Sequence, residues 1–220
     1  GCQRCVDECP FVAIRSSDEH VPVIDPQACE GCGVCAQWCG ADAIRFEPRV
    51  SGAWTVRSTT WGPLVHAELN VGEDNSGKLV SEVRNQAARI ADAEGFDLIL
   101  TDGPPGIACP VHAAIGGTDL VVAVTEPGVA ATSDLVRLLD VAKWFSVPMA
   151  IVLNKADLYP PAAARLRTLA VERGVPVLAE IPFLPEVPRA LAQGRSLVEI
   201  DELRDVLNAC WAGIRNILDA

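Results

Sequence analysis

The 220-residue chain has no run of about 18 apolar residues, which excludes an ordinary membrane-spanning helix. None of its 18 Lys and Arg residues form a run, and the formal net charge is −11. Phosphate recognition needs a basic surface, so no nucleic-acid partner is expected. Acidity serves solubility first, although it also suits a carrier that docks on a basic partner. Nothing at the start resembles a secretion signal. The thiols are clustered, unlike the dispersed pairs of short secreted proteins, and this fits a reducing, cytoplasmic compartment.

Seven of the nine cysteines fall within the first 39 residues. They read Cys2-x2-Cys5-x3-Cys9-Pro10, then Cys29-x2-Cys32-x2-Cys35-x3-Cys39. A C-x2-C-x2-C run lets one loop wrap three corners of an iron–sulfur cubane, while a fourth, distant cysteine belongs to the other cluster. That rule gives one complete [4Fe-4S] site from Cys9, Cys29, Cys32 and Cys35. A second, incomplete site takes Cys2, Cys5 and Cys39. Zinc is the rival, since C-x2-C pairs also build zinc ribbons, but interleaved triplets each followed by x3-Cys suit cubanes better. Gly40 replaces the proline usual after the fourth cysteine, which loosens a turn without removing a ligand. Four thiolates around a cluster core make each site anionic, so a low potential is expected.

An offset of 30 residues superimposes the two motifs, and Ala13-Ile14-Arg15 on Ala43-Ile44-Arg45. Only Cys29 lacks a mate. Its counterpart would stand before Gly1, so the repeat predicts a chain that begins inside a motif.

Residues 1–48 are read as a small α+β, two-cluster ferredoxin-like domain, with Val21, Val23 and Ile24 as a hairpin or cover. Residues 49–220 are read as a second domain. Trp54-Thr55-Val56, Trp61 and Leu64-Val65 suggest strands, and Asn75 or Ser76 caps a helix over 77–94. Apolar strands are expected at 96–100, 120–124, 149–153 and 175–181, with helices at 129–145, 160–173 and 199–219. This alternation means a parallel α/β sheet covered on both faces. Asp102, Glu126, Asn154 and Pro182 would then line the strand ends where such sheets bind ligands. Cys210 lies in an apolar helical stripe and reads as core. Cys109 is also read as a buried small residue, in preference to a redox or metal-binding thiol.

Asp102 ends an apolar strand and has the form of a Walker B aspartate, which holds nucleotide-bound magnesium. Gly103-Pro104-Pro105-Gly106 follows as a stiff loop. With the cysteine motifs, Gly62-Pro63-Leu64-Val65-His66-Ala67, Glu73-Asp74-Asn75-Ser76-Gly77-Lys78-Leu79-Val80, the stretch Asp102 to Pro110, Thr125-Glu126-Pro127 and Asn154-Lys155-Ala156-Asp157, the chain resembles MinD/ParA-like deviant Walker ATPases carrying an inserted ferredoxin domain. The resemblance implies a parallel-sheet P-loop NTPase core, magnesium held through water by Asp102, switch II at 103–106, and adenine faced by Asn154 beside Lys155 and Asp157. It also implies a homodimer closing on ATP and a redox partner protein released on hydrolysis.

The family's phosphate loop, with its two lysines, is absent. Gly72-Glu73-Asp74-Asn75-Ser76-Gly77-Lys78 fits G-x4-G-K, but Leu79 replaces the magnesium-binding hydroxyl, and Glu73 and Asp74 would face phosphate. It is read as a helix-starting loop. No catalytic residue is assigned, the phosphate loop is expected upstream of Gly1, and the fragment should hydrolyse ATP poorly. The expected function is electron transfer through two [4Fe-4S] clusters, coupled to ATP and Mg in the full-length protein. A cluster-assembly carrier is the alternative, and a positioning ATPase ranks third because the last helix lacks a basic excess.

Overall fold

Short apolar strands alternate with helices in the second half of the chain, and the computed structural model, which describes residues 2–73 and 75–219, builds a parallel sheet from them. Contacts divide the chain into two units between Asn75 and Ser76. In the first, α1 (Arg4–Asp7) and α2 (Val34–Gln37) are single turns of helix. Between them β1 (Ile14–Ser16) and β2 (Pro22–Ile24) pair antiparallel, with Ile14 opposite Ile24. This is the hairpin expected around Val23 and Ile24.

Next, β3 (Gly52–Thr59) and β4 (Gly62–Leu69) form an antiparallel hairpin turning at Thr60-Trp61. Trp54 faces Ala67 and Val56 faces Val65. Side chains alternate between the faces of a strand, so the other face carries Thr55 opposite His66, hydrogen-bonded at 3.0 Å.

The second unit opens with α3 (Gly77–Glu94), whose first turn is closed by Ser76 Oγ accepting the Leu79 N–H at 3.2 Å. Gly95, at φ 74°, ends it in the left-handed conformation that a glycine adopts without strain. α4 (Cys109–Ile115) lies alongside. The half-buried Arg84 guanidinium ties the pair together by donating to the carbonyls of Ala113 and Gly116, both at 2.6 Å. At the other end, a side chain on Gly77 would stand 2.9 Å from the Cys109 carbonyl oxygen, so the helices meet there only because Gly77 has none.

The sheet has the order β5 (Val121–Thr125), β6 (Met149–Asn154), β7 (Val177–Ile181), all parallel. Odd-numbered β6 residues Ile151 and Leu153 pack against α5 (Val129–Trp144) and α6 (Pro160–Arg173) through Leu135, Leu139, Ala163 and Leu166. Even-numbered Val152 faces α8 (Asp201–Leu218) through Cys210. Ile151 and Leu153 are each 1% exposed, a burial contributing about 1.5–3 kcal/mol apiece. α7 (Glu186–Ala192) and a 3-10 turn at Leu197–Glu199 close a smaller core around Ala190, Ile200 and Leu203.

Several expected boundaries shift. The last helix starts at Asp201 rather than 199 because the 3-10 turn, with its Ser196/Glu199 capping box, precedes it. β7 begins at Val177 because the Val175 N–H closes α6 on the Ala170 carbonyl. The helices α4 and α7 were not anticipated.

The strand expected at 96–100 does not form. A strand exists only by pairing, and β5 pairs with β6 alone in the described sheet. Leu98, Ile99 and Leu100 are 47%, 45% and 91% exposed. Asp102 therefore does not end or follow a paired strand, as Asn154, Glu126 and Pro182 do. No described helix is long and apolar enough to cross a membrane.

Candidate metal centre

The sequence repeat is also a repeat of backbone geometry. Gln3 at φ 62° precedes α1, and Gly33 at φ 76° precedes α2. One turn later the Ala13 N–H donates to Cys9 Sγ at 3.3 Å, and the Ala43 N–H donates to Cys39 Sγ at 3.3 Å. Val12 and Asp42 occupy matching left-handed positions, at φ 53° and φ 49°, with their N–H groups on the carbonyls of Cys9 and Cys39. Each half thus hangs an amide on the sulfur of its last cysteine.

Cys9, Cys29, Cys32 and Cys35 line one cavity, bounded by Ile14, Ile24 and Phe46. These are the four cysteines that the interleaving rule assigns to one site. Burial pushes the Cys35 thiol up, the Ala36 amide pulls it down, and the Cys29 and Cys32 sulfurs push it up again, so three thiols crowd each other. The amides of Ala43 and Ala41 hold the Cys39 thiol below its usual range, favouring thiolate. Among the described residues no group of three or more His, Cys, Asp or Glu side chains converges to hold a single metal ion. Four thiols around one cavity suit the corners of a cubane.

For the second set, Cys5 is buried, Cys39 half-buried and Cys2 exposed. The Arg4 guanidinium stacks 4.7 Å over the Trp38 ring, which brings the residue before Cys5 beside the residue before Cys39. Cys210 is buried as expected, and burial raises its thiol. Cys109, expected to be buried, is exposed; it is the first residue of α4 and meets Gly77 through its carbonyl and Cβ.

At the strand ends, Lys155 Nζ donates to Glu126 Oε2 at 2.7 Å, joining the ends of β6 and β5. Asn154 Oδ1 accepts the Lys155 N–H at 3.0 Å, and Asp157 Oδ1 accepts the Phe183 N–H at 2.7 Å. Asn154, Lys155 and Asp157 thus lie at and just beyond the end of β6. Beside it a cavity is lined by Asp157, Pro182 and the Arg167–Glu180 pair, bonded at 2.6 and 2.7 Å. Hydrogen bonding to Arg167 holds the Glu180 carboxyl below its usual range. Asp102, Gly103, Pro105 and Gly106 are exposed and Pro104 half-buried, all in irregular backbone. In the 72–78 loop, Asp74 lies outside the described residues; the Leu79 amide that a phosphate would use is occupied by Ser76.

No family model matches the chain. It is 32% identical over 195 residues to an uncharacterized protein of Methanocaldococcus jannaschii, covering 87% of this chain and 62% of that protein. A second uncharacterized protein of that organism is 23% identical over 180 residues, 81% of this chain and 60% of the relative. The chain thus spans about three fifths of these two relatives. Over 47 residues, 21% of the chain, it is 36% identical to an uncharacterized ferredoxin of the same organism and covers 76% of it. Over that N-terminal stretch the chain is a ferredoxin relative.

The ferredoxin-like stretch is thus supported by the cysteine spacing and by one relative, the ferredoxin. None of the three relatives is described as an ATPase. Sequence reasoning missed the two N–H···S bonds, although the paired Ala13 and Ala43 at the same distance from Cys9 and Cys39 are their signal. It also missed the Lys155–Glu126 bridge, which joins two strand ends known only once the sheet order is.

Proposed function

We propose that this chain is an electron carrier in which Cys9, Cys29, Cys32 and Cys35 hold one [4Fe-4S] cluster, and Cys2, Cys5 and Cys39 contribute to a second. The carrying observation is the convergence of four cysteines from both motifs on one cavity. A cluster bound there supplies a low-potential one-electron couple. The chain's own groups do the tuning. The Ala13 and Ala43 amides stabilise charge on Cys9 and Cys39 sulfur, and such bonds raise the ease of reduction. Ala13 and Ile14, 1% and 4% exposed, keep water from the inner wall. Anaerobic loading with iron and sulfide, followed by spectroscopic cluster counting, tests this; a chain that takes zinc and no iron overturns it.

We further propose that the second unit couples this carrier to ATP in the whole protein. The supporting observation is the position of Asn154, Lys155 and Asp157 at and just beyond the C-terminal end of β6 in a parallel sheet, where such folds take ligands. Asp102 would serve magnesium and 103–106 would act as the switch. ATP-dependent change in the cluster's reduction rate in the full-length protein tests the coupling, and a rate indifferent to ATP refutes it. The cluster-carrier alternative would instead show transfer of the chromophore to an apo-protein.

A further inference from the structure

The two cysteine motifs repeat in backbone but not in what holds them. Arg4, between Cys2 and Cys5, carries its guanidinium 4.7 Å above the ring of Trp38, the residue before Cys39. A cation within about 6 Å of an aromatic face is attracted to it. Asp7 and Glu8 stand three and four residues beyond Arg4, the spacing at which ion pairs form along a helix, yet the guanidinium lies on the ring. Arg15 and Arg45, the other arginines of residues 1–47, take the carboxylates of Asp25 and Glu47.

The same loop is tied at a second point. Gln3 Nε2 donates to the His20 carbonyl at 2.6 Å, in the turn between β1 and β2. Gln3 holds φ at 62°, in the left-handed region that glycine adopts without strain, and Gly33 occupies the matching place in the other half.

That other half cannot reproduce the stack. An offset of 30 residues carries Arg4 onto Val34 and Trp38 onto Glu8, and a valine with a carboxylate forms no cation–π pair. The contact therefore falls on one cysteine set alone, Cys2, Cys5 and Cys39, of which Cys2 is exposed. The set of Cys9, Cys29, Cys32 and Cys35 has the wall of Ile14, Ile24 and Phe46 instead.

We propose that Arg4 and Trp38 are positioning residues for the second cluster. Their stack joins the two motifs, holds the Cys2–Cys5 loop beside Cys39 and slows the loss of iron from that site, without acting on the other. Preorganised ligands spare the bound group the cost of ordering them. Trp38 is 47% exposed, so the stack has the strength of an exposed pair, equivalent to about two- to five-fold in a rate.

The inference rests on the reading of Cys2, Cys5 and Cys39 as cluster ligands. The test loads the full chain anaerobically with iron and sulfide, adds excess EDTA, and follows the decay of cluster absorbance. Cys9→Ala isolates the second cluster and Cys39→Ala the first. In the Cys9→Ala chain, Arg4→Gln and Trp38→Leu should each speed the decay about two- to five-fold. Both together should do no more than either alone, because each removes the same pair. Arg4→Lys and Trp38→Phe should recover much of the slower decay. In the Cys39→Ala chain none of these changes should alter the rate. In the otherwise unaltered chain they should hasten the loss of one cluster and leave the other unchanged, a result that needs neither cysteine variant. Additive effects of Arg4→Gln and Trp38→Leu, equal acceleration of both clusters, or an unchanged rate in Arg4→Gln each overturn the proposal. If the wild type loads a single cluster, which Cys9→Ala abolishes, the reading of Cys2, Cys5 and Cys39 as ligands fails first and the positioning role with it.

Discussion

Replacing Arg84 by alanine should loosen α4 without unfolding the sheet. The guanidinium donates to two carbonyls, Ala113 and Gly116, that terminate α4, each at 2.6 Å. Hydrogen bonds from a charged donor contribute about 1.5–3 kcal/mol net each when buried. These are only part-buried, and water can replace part of the loss, so about 2–3 kcal/mol for the pair is the working figure. The β5–β7 core does not include α4, and the cost should therefore appear as local opening. At about 1.4 kcal/mol per factor of ten, amide protection in α4 should fall about 30-fold or more. Hydrogen exchange followed residue by residue is the assay. Arg84→Lys, able to reach one carbonyl, should lose roughly half as much in free energy. Uniform protection loss across the sheet, or none in α4, would show that Arg84 does not hold α4 in place.

Two further outcomes are expected. Leu153→Ala removes a side chain that is 1% exposed between α5 and α6, and should cost about 2–5 kcal/mol in urea denaturation. Val124→Ala in the neighbouring strand, where the residue is 66% exposed, should cost far less, and equal costs would mean the sheet faces are misassigned. For Glu180, hydrogen bonding to Arg167 depresses the folded carboxyl. Its contribution is present above the unfolded value of about 4.3 and is lost as pH falls through the lower folded value. The stability advantage of wild type over Glu180→Gln should therefore shrink below about pH 4.3, and a constant difference would deny the pairing a role.

Legibility followed the physics of each element. Helices α3 and α6 fell where capping and breaker residues put them, because Ser76, Pro160 and Gly174 act locally. The parallel strands were legible as apolar runs between helices. The run at 96–100 has the same composition and is not a strand, since pairing is a property of the neighbour and not of the run. Cys109 and Cys210 show the same limit. An apolar stripe located Cys210, whereas the exposure of Cys109 depends on how α4 meets Gly77. The cysteine site was the most legible part because thiol spacing is itself the chemistry. What spacing did not contain was the left-handed turn that Val12 and Asp42 share, which is visible only as a backbone angle.

Cys9, Cys29, Cys32 and Cys35 are proposed to share one iron–sulfur cluster. Single alanine variants at these positions, loaded anaerobically and examined by Mössbauer spectroscopy, test it most directly. Each should lose the same cluster, Cys9→Ala no less than Cys32→Ala, while Cys210→Ala keeps the wild-type spectrum. If Cys9→Ala leaves intact the cluster that Cys32→Ala destroys, the shared site does not exist.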